Sequence, residues 1–135
     1  MFTRRSVASS LVRRGTATVE LAVCLPVMVL VTLGAIESTN AIYLKQSLTS
    51  IAYEGVRIAS GAGGTASDAQ QVCQTMLAAR NIRGATVTCT PITSGTSPGT
   101  PITVNVSASV ANNSLGVSRV FRSTTLTGSA TMPRL

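Results

Sequence analysis

The chain has 135 residues, enough for one small domain with an extension and too few for two ordinary domains. Hydrophobic residues make up 44% of it, charged residues only 11% and aromatics 3%, against roughly 25% charged in an ordinary soluble domain, which argues against both a typical cytosolic enzyme and a charge-rich disordered chain. With no histidine and only four acids, Glu20, Glu37, Glu54 and Asp68, His-based catalysis and His-ligated metal are excluded, and carboxylate cages or paired-carboxylate hydrolysis are disfavoured.

The net charge of +7 is concentrated at the start. Arg4, Arg5, Arg13 and Arg14 lie in the first fourteen residues with no acid among them, and setting them aside leaves seven bases against four acids. The remainder has no basic stripe interleaved with aromatics, so nucleic acid is not an expected partner.

An apolar run without charge follows, Leu21 to Ile36. Counted from Thr16, the candidate helix is about 32 Å long at 1.5 Å per residue, a match for a hydrocarbon core of roughly 30 Å. Its nine Leu, Ile and Val residues contribute on the order of −3 to −5 kcal/mol of insertion free energy, more than one acid at the end of the span costs. The lipid bilayer is therefore an expected partner. By the positive-inside rule the arginine cluster stays in the cytoplasm and the remainder of the chain faces outward.

Helical periodicity continues beyond the span. Leu44, Leu48, Ile51, Gly55, Ile58 and Ala62 recur every three or four residues, one face of a helix. This predicts one long helix over residues 17–60, with a possible kink site at Pro26 and an end at the glycine-rich segment 61–64. The small residues on that stripe allow close backbone approach, and the stripe is expected to pack on its own sheet. Residues 66–80 read as a second helix with Ala69, Val72, Cys73, Met76 and Leu77 on one side.

After Gly84 the period changes to two. Residues 86–90 read as a strand, 93–101 as a loop, and 102–110 as the clearest strand, with Ile102, Val104, Val106, Ala108 and Val110 alternating with Thr, Asn and Ser. Residues 111–116 read as a turn, and 126–132 as a final, weaker strand. The predicted fold class is α+β: a long N-terminal helix, transmembrane in its first half, with a second helix and a small antiparallel sheet that has one polar face.

The most informative stretch is Arg13-Arg14-Gly15-Thr16-Ala17-Thr18-Val19-Glu20-Leu21: a basic leader, a glycine, an acid five residues after it, then the apolar run. It looks like the processing site of a type IV prepilin. With Pro26, Gly34-Ala35-Ile36-Glu37 and Tyr53-Glu54-Gly55-Val56-Arg57, the chain resembles the TadE-like family of tight-adherence pilus pseudopilins. The resemblance is specific over residues 13–57, and the ending Leu126 to Met132 also resembles that family's last strand. Thr16 departs from the Phe or Met usual in type IV prepilins, and Tyr53 and Val56 depart from the family's Arg-Glu-Gly-Ala-Arg segment.

The resemblance implies a type IV pilin-like fold and three regions: a leader, residues 1–15, removed by a prepilin peptidase; a transmembrane half-helix, 16–37; and a periplasmic α+β head, 38–135. It implies an inner-membrane protein that is a minor pilus subunit and not an enzyme. The implied partners are other pilin and pseudopilin subunits, the prepilin peptidase, an inner-membrane assembly platform and a secretion ATPase. No cofactor, metal or small-molecule substrate is expected.

The chemistry gives this pattern a purpose. Cleavage after Gly15 creates an amine on Thr16, and Glu20 lies one helical turn away. A carboxylate near a helix N-terminus is favoured by the dipole, and its pairing with an amine strengthens at low dielectric. Glu20 is accordingly the candidate assembly charge. The plainer reading has Glu20 merely ending the span at the lipid headgroups.

On the outward side, two cysteines in a small head, Cys73 and Cys89, read as a disulfide. Closing a loop of about 17 residues would stabilise the head by roughly 3 kcal/mol. Cys24, inside the span, reads as a small packing residue. Two other classes compete: a signal-anchored periplasmic binding module that never assembles, and a membrane-tethered hydrolase pairing a serine with Lys45, for which no motif is present. Gly61-Ala-Gly-Gly is no phosphate loop, because no Gly-Lys-Ser/Thr follows. Asn105-Val-Ser and Asn112-Asn-Ser match the glycosylation pattern only by chance.

Overall fold

A computed structural model of the chain describes residues 8–93, 95–114 and 123–135, with side chains from Gly15 onward. Arg4 and Arg5 of the expected leader lie outside the described residues, as does the end of the turn predicted over 111–116. The chain divides into two units, residues 1–36 and 37–135.

The first unit is carried by helix α1, Ala8–Ser60. The helix begins well before the predicted residue 17, because Ala8 to Arg14 contains no breaker and several good helix formers. Gly15 costs about 1 kcal/mol relative to alanine within a helix but does not end it. Pro26 lies inside α1; it cannot donate to the carbonyl of Ala22, yet the helix continues through it. Thr32 Oγ1 donates to Met28 O at 2.8 Å. Val19, Leu21, Val23, Leu25, Val27, Met28, Leu30 and Val31 are all exposed. A helical stretch apolar on every side and with none of its residues buried has the surface of a membrane span.

The second unit has its own core, built on the later turns of α1. The buried face is Leu44, Ser47, Leu48, Ile51, Ala52, Val56, Ala59 and Ser60. The predicted stripe is right through Gly55 but drifts afterwards: Ile58 is half-buried and Ala62 exposed, while Val56 and Ala59 take the core positions. A real helix turns 100° per residue, so the alternating three-and-four spacing rotates off the contact unless a second spacing of four intervenes. After Ser60 the chain bends, with Gly61 N–H donating to Ile58 O and Gly64 N–H to Gly61 O. The carbonyls left over at the end of α1 are met by the C-terminal tail. Arg134 Nη1 donates to Ala59 O at 2.7 Å and to Gly64 O at 2.8 Å, and Leu135 N–H donates to Ser60 O.

Helix α2, Ala66–Ala79, opens with a capping box. Asp68 N–H donates to Thr65 Oγ1, and Thr65 N–H donates back to Asp68 Oδ2. It buries Ala69, Cys73 and Leu77. Its end is a Schellman motif: Asn81, with φ 54°, donates to Ala78 O and Ile82 to Leu77 O.

Three strands follow, β1 Ala85–Cys89, β2 Pro101–Ser109 and β3 Thr125–Pro133, with the short helix α3, Val110–Asn113, after β2. The first two strands begin one residue earlier than predicted, and part of the predicted turn after β2 is a helical turn begun by Ser109, whose Oγ accepts from Ala111 N–H. The sheet is antiparallel in the order β1-β2-β3. Its registers set Val87, Val106 and Gly128 in one row, and Cys89, Val104 and Ala130 in the next. Those rows face the helices. The alternate rows, including Thr88, Asn105 and Ser129, form the polar face that the alternation predicts.

Candidate processing and assembly site

Gly15, Thr16 and Glu20 are consecutive features of α1, and all three are exposed. A Cβ built on Gly15 would meet no atom within 4 Å, so packing does not require a glycine there. What glycine does provide is a locally weak helix, about 1 kcal/mol less favourable than alanine. Glu20 falls one turn after Thr16 and makes no ion pair among the described residues. From Leu21 to Ile36 the helix carries no charge, and α1 includes a stretch of mean hydropathy 2.4 with none of it buried, long and apolar enough to cross a membrane once.

In the second unit the two predicted partners Cys73 and Cys89 lie on the same side of the sheet. Both carry free thiols in the structure. Cys73 Sγ is buried against α1, 3.6 Å from Ile51 O, and a Cβ on Gly55 would lie 2.4 Å from it. Cys89 Sγ contacts Thr90 O at 3.4 Å. Burial pushes the Cys73 thiol up, and the neighbouring Cys89 adds to this; burial also raises Cys89. In the reduced protein both sulfurs are therefore protonated at neutral pH. Among the described residues, no group of three or more Cys, Asp or Glu could hold a metal ion.

The sequence reading missed one feature of the head. Asn113, noted only as part of a chance glycosylation pattern, ties three elements together. Its Oδ1 accepts from Arg83 N–H at 2.8 Å, its Nδ2 donates to Arg83 O at 3.0 Å and to Ser109 O at 2.9 Å, and its carbonyl accepts from Asn40 Nδ2 at 3.1 Å. This clamp closes one side of a cavity between α1, the turn after α2, and α3. The only sequence signal was the concentration of asparagine at the ends of helices, where such residues bond backbone.

The fold defines a class: an α+β protein with a pilin-like layout, in which a long N-terminal helix, apolar enough to cross a membrane once, is followed by a small three-stranded head. Within that class, residues 15–57 match the family model described as TadE-like protein. This is the family the sequence resembles, and the match begins at Gly15 and ends at Arg57, the segment in which the resemblance is specific. No curated protein and no solved structure matches the chain significantly.

Proposed function

We propose that the chain is a minor pseudopilin of a tight-adherence pilus, held in the inner membrane with a cytoplasmic N-terminus and a periplasmic head, and active in pilus initiation and assembly. The observation that carries this reading is the coincidence of Gly15, Glu20 and an uncharged apolar run with none of it buried within the family match. A prepilin peptidase cuts between Gly15 and Thr16. The new amine of Thr16 is then neutralised by Glu20, its own or that of an adjoining subunit, when the helix enters a bundle of pilin helices. The assembly platform and the secretion ATPase supply the machinery, and the subunit itself performs no catalysis.

N-terminal sequencing of the protein recovered from cells tests the first step. With the peptidase present the chain is expected to begin at Thr16, and without it at Met1. A start at Met1 in both strains would refute the proposal.

With the head in an oxidising compartment, Cys73 and Cys89 join in a disulfide that ties α2 to β1. Intact-mass measurement of periplasm-exposed protein should show the loss of two hydrogen atoms, the two protons and two electrons passing to the thiol oxidant of that compartment. Cys89→Ser should then lower the stability of the head by about 3 kcal/mol, read as a drop of several degrees in Tm that reducing agent reproduces in the parent chain and not in the variant. A parent chain that melts identically with and without reductant would count against the bridge.

A further inference from the structure

The head contains a cavity of about 320 Å³ whose lining includes Asn40, Tyr43, Arg80, Asn81, Arg83 and Asn112. Its charge distinguishes it. Five cationic side chains belong to the described part of the head, and three are held by an acid or by backbone carbonyls: Lys45 Nζ donates to Thr127 O, Arg57 pairs with Glu54 at 2.8 Å, and Arg134 caps the end of α1. The two that remain, Arg80 and Arg83, are exposed, and both line this cavity. Arg80 Nη2 donates to Ser50 Oγ at 3.4 Å. Among the described residues no acid lines the cavity and neither guanidinium has a carboxylate partner.

The geometry points to a binding site for a phosphate ester, held by Arg80 and Arg83 with the amides of Asn81 and Asn112 around it. Guanidinium groups match phosphate oxygens in a two-pronged arrangement. The carboxamides add neutral donors, and a space of this size suits a headgroup-sized ligand rather than a large cofactor. The C-terminal end of α2 opposes an anion with about half an elementary charge. The Schellman bonds of Asn81 and Ile82 already occupy two of its carbonyls, and two full positive charges outweigh the rest.

Chain reach favours a membrane source for the phosphate. Asn40 is four residues after Ile36, the last residue of the apolar run. At no more than ~3.6 Å per residue it stays within ~15 Å of the end of that run whatever the backbone does. Lipid headgroups extend about 5–8 Å beyond the hydrocarbon edge, so a headgroup phosphate is within reach of Asn40. The inference does not depend on processing at Gly15, so either can fail without the other.

The test uses the full chain in neutral detergent micelles, following the NMR signals of the Asn81 and Asn112 side-chain amides and of Tyr43. Dioctanoyl phosphatidylglycerol should shift them saturably and bind about tenfold tighter than dioctanoyl phosphatidylcholine, with the difference lost in R80Q/R83Q. Both substitutions are at exposed positions, and an unchanged amide spectrum outside the cavity verifies the fold. Glycerol 3-phosphate is titrated in parallel. Lipid binding tighter than this free ester identifies a membrane headgroup, while equal or tighter binding of the ester identifies a soluble phosphate; either outcome upholds the site. The inference is overturned if neither probe shifts these signals, if phosphatidylcholine matches phosphatidylglycerol, if R80Q/R83Q binds like the parent, or if only a glutamate-rich peptide binds.

Discussion

Gly128→Val is expected to prevent the head from folding. Gly128 is buried on β3, in the row with Val106 and Val87, where α1 crosses the sheet. A Cβ at this position would lie 2.3 Å from Leu48 C, 2.4 Å from Thr49 N and 2.5 Å from Leu48 O. All three atoms belong to the helix backbone, so no side-chain rotation relieves the overlap. The helix must move off the sheet or β3 must leave its register, and either change opens the core around Leu48, Val104 and Val106, all fully buried. Overpacking alone typically costs 1–3 kcal/mol, and an overlap with rigid backbone costs more, perturbations of about 4–5 kcal/mol being exceptional for one substitution. A small domain holds only about 5–15 kcal/mol in all. Thermal unfolding followed by circular dichroism should show the cooperative transition of the head lost or moved down by more than 15 °C or so. Ser129→Ala, one residue away on the polar face, should stay within about 0.5 kcal/mol of the parent. A Gly128→Val head that melts like the parent would mean that α1 does not cross β3 this closely.

Glu20→Ala is expected to leave membrane insertion intact and to abolish pilus formation. The substitution removes the one acid at the start of the span, so insertion becomes easier. The assembled state suffers, because the Thr16 amine then enters a helix bundle without a partner. Leaving one member of a desolvated pair unmatched costs about 3–5 kcal/mol, and at roughly 1.4 kcal/mol per factor of ten that is a loss of more than a hundredfold in docking equilibrium. Glu20→Asp, which keeps the charge on a shorter arm, should retain partial assembly; Glu20→Gln should behave like alanine. Membrane fractionation with immunoblotting reads the first property and electron microscopy of surface fibres reads the second. Normal fibres in Glu20→Ala cells would remove the ion pair from the mechanism.

These two residues mark how differently the parts of the molecule can be read. Glu20 stands out in the chain because the pattern around it is local: one acid, a fixed number of residues after a glycine, at the head of an uncharged run. The apolar run, the second helix and the alternation of β2 are legible for the same reason, since periodicity involves neighbours in sequence. Gly128 looked like an ordinary position in a weak strand. Its requirement for glycine comes from Leu48 and Thr49, eighty residues earlier in the chain, and nothing near it in sequence signals that contact.

The amino-acid sequence by itself determined the fold class, the long apolar N-terminal helix and the family likeness, because each rests on composition or on spacing along the chain. Tertiary structure alone decided which face of α1 is core beyond Gly55, that Gly55 makes room for the Cys73 thiol, that Arg134 closes the end of α1, and that Arg80 and Arg83 share a cavity clamped by Asn113. Each of these depends on the distance between segments far apart in the chain, fixed only when the sheet and helices pack together.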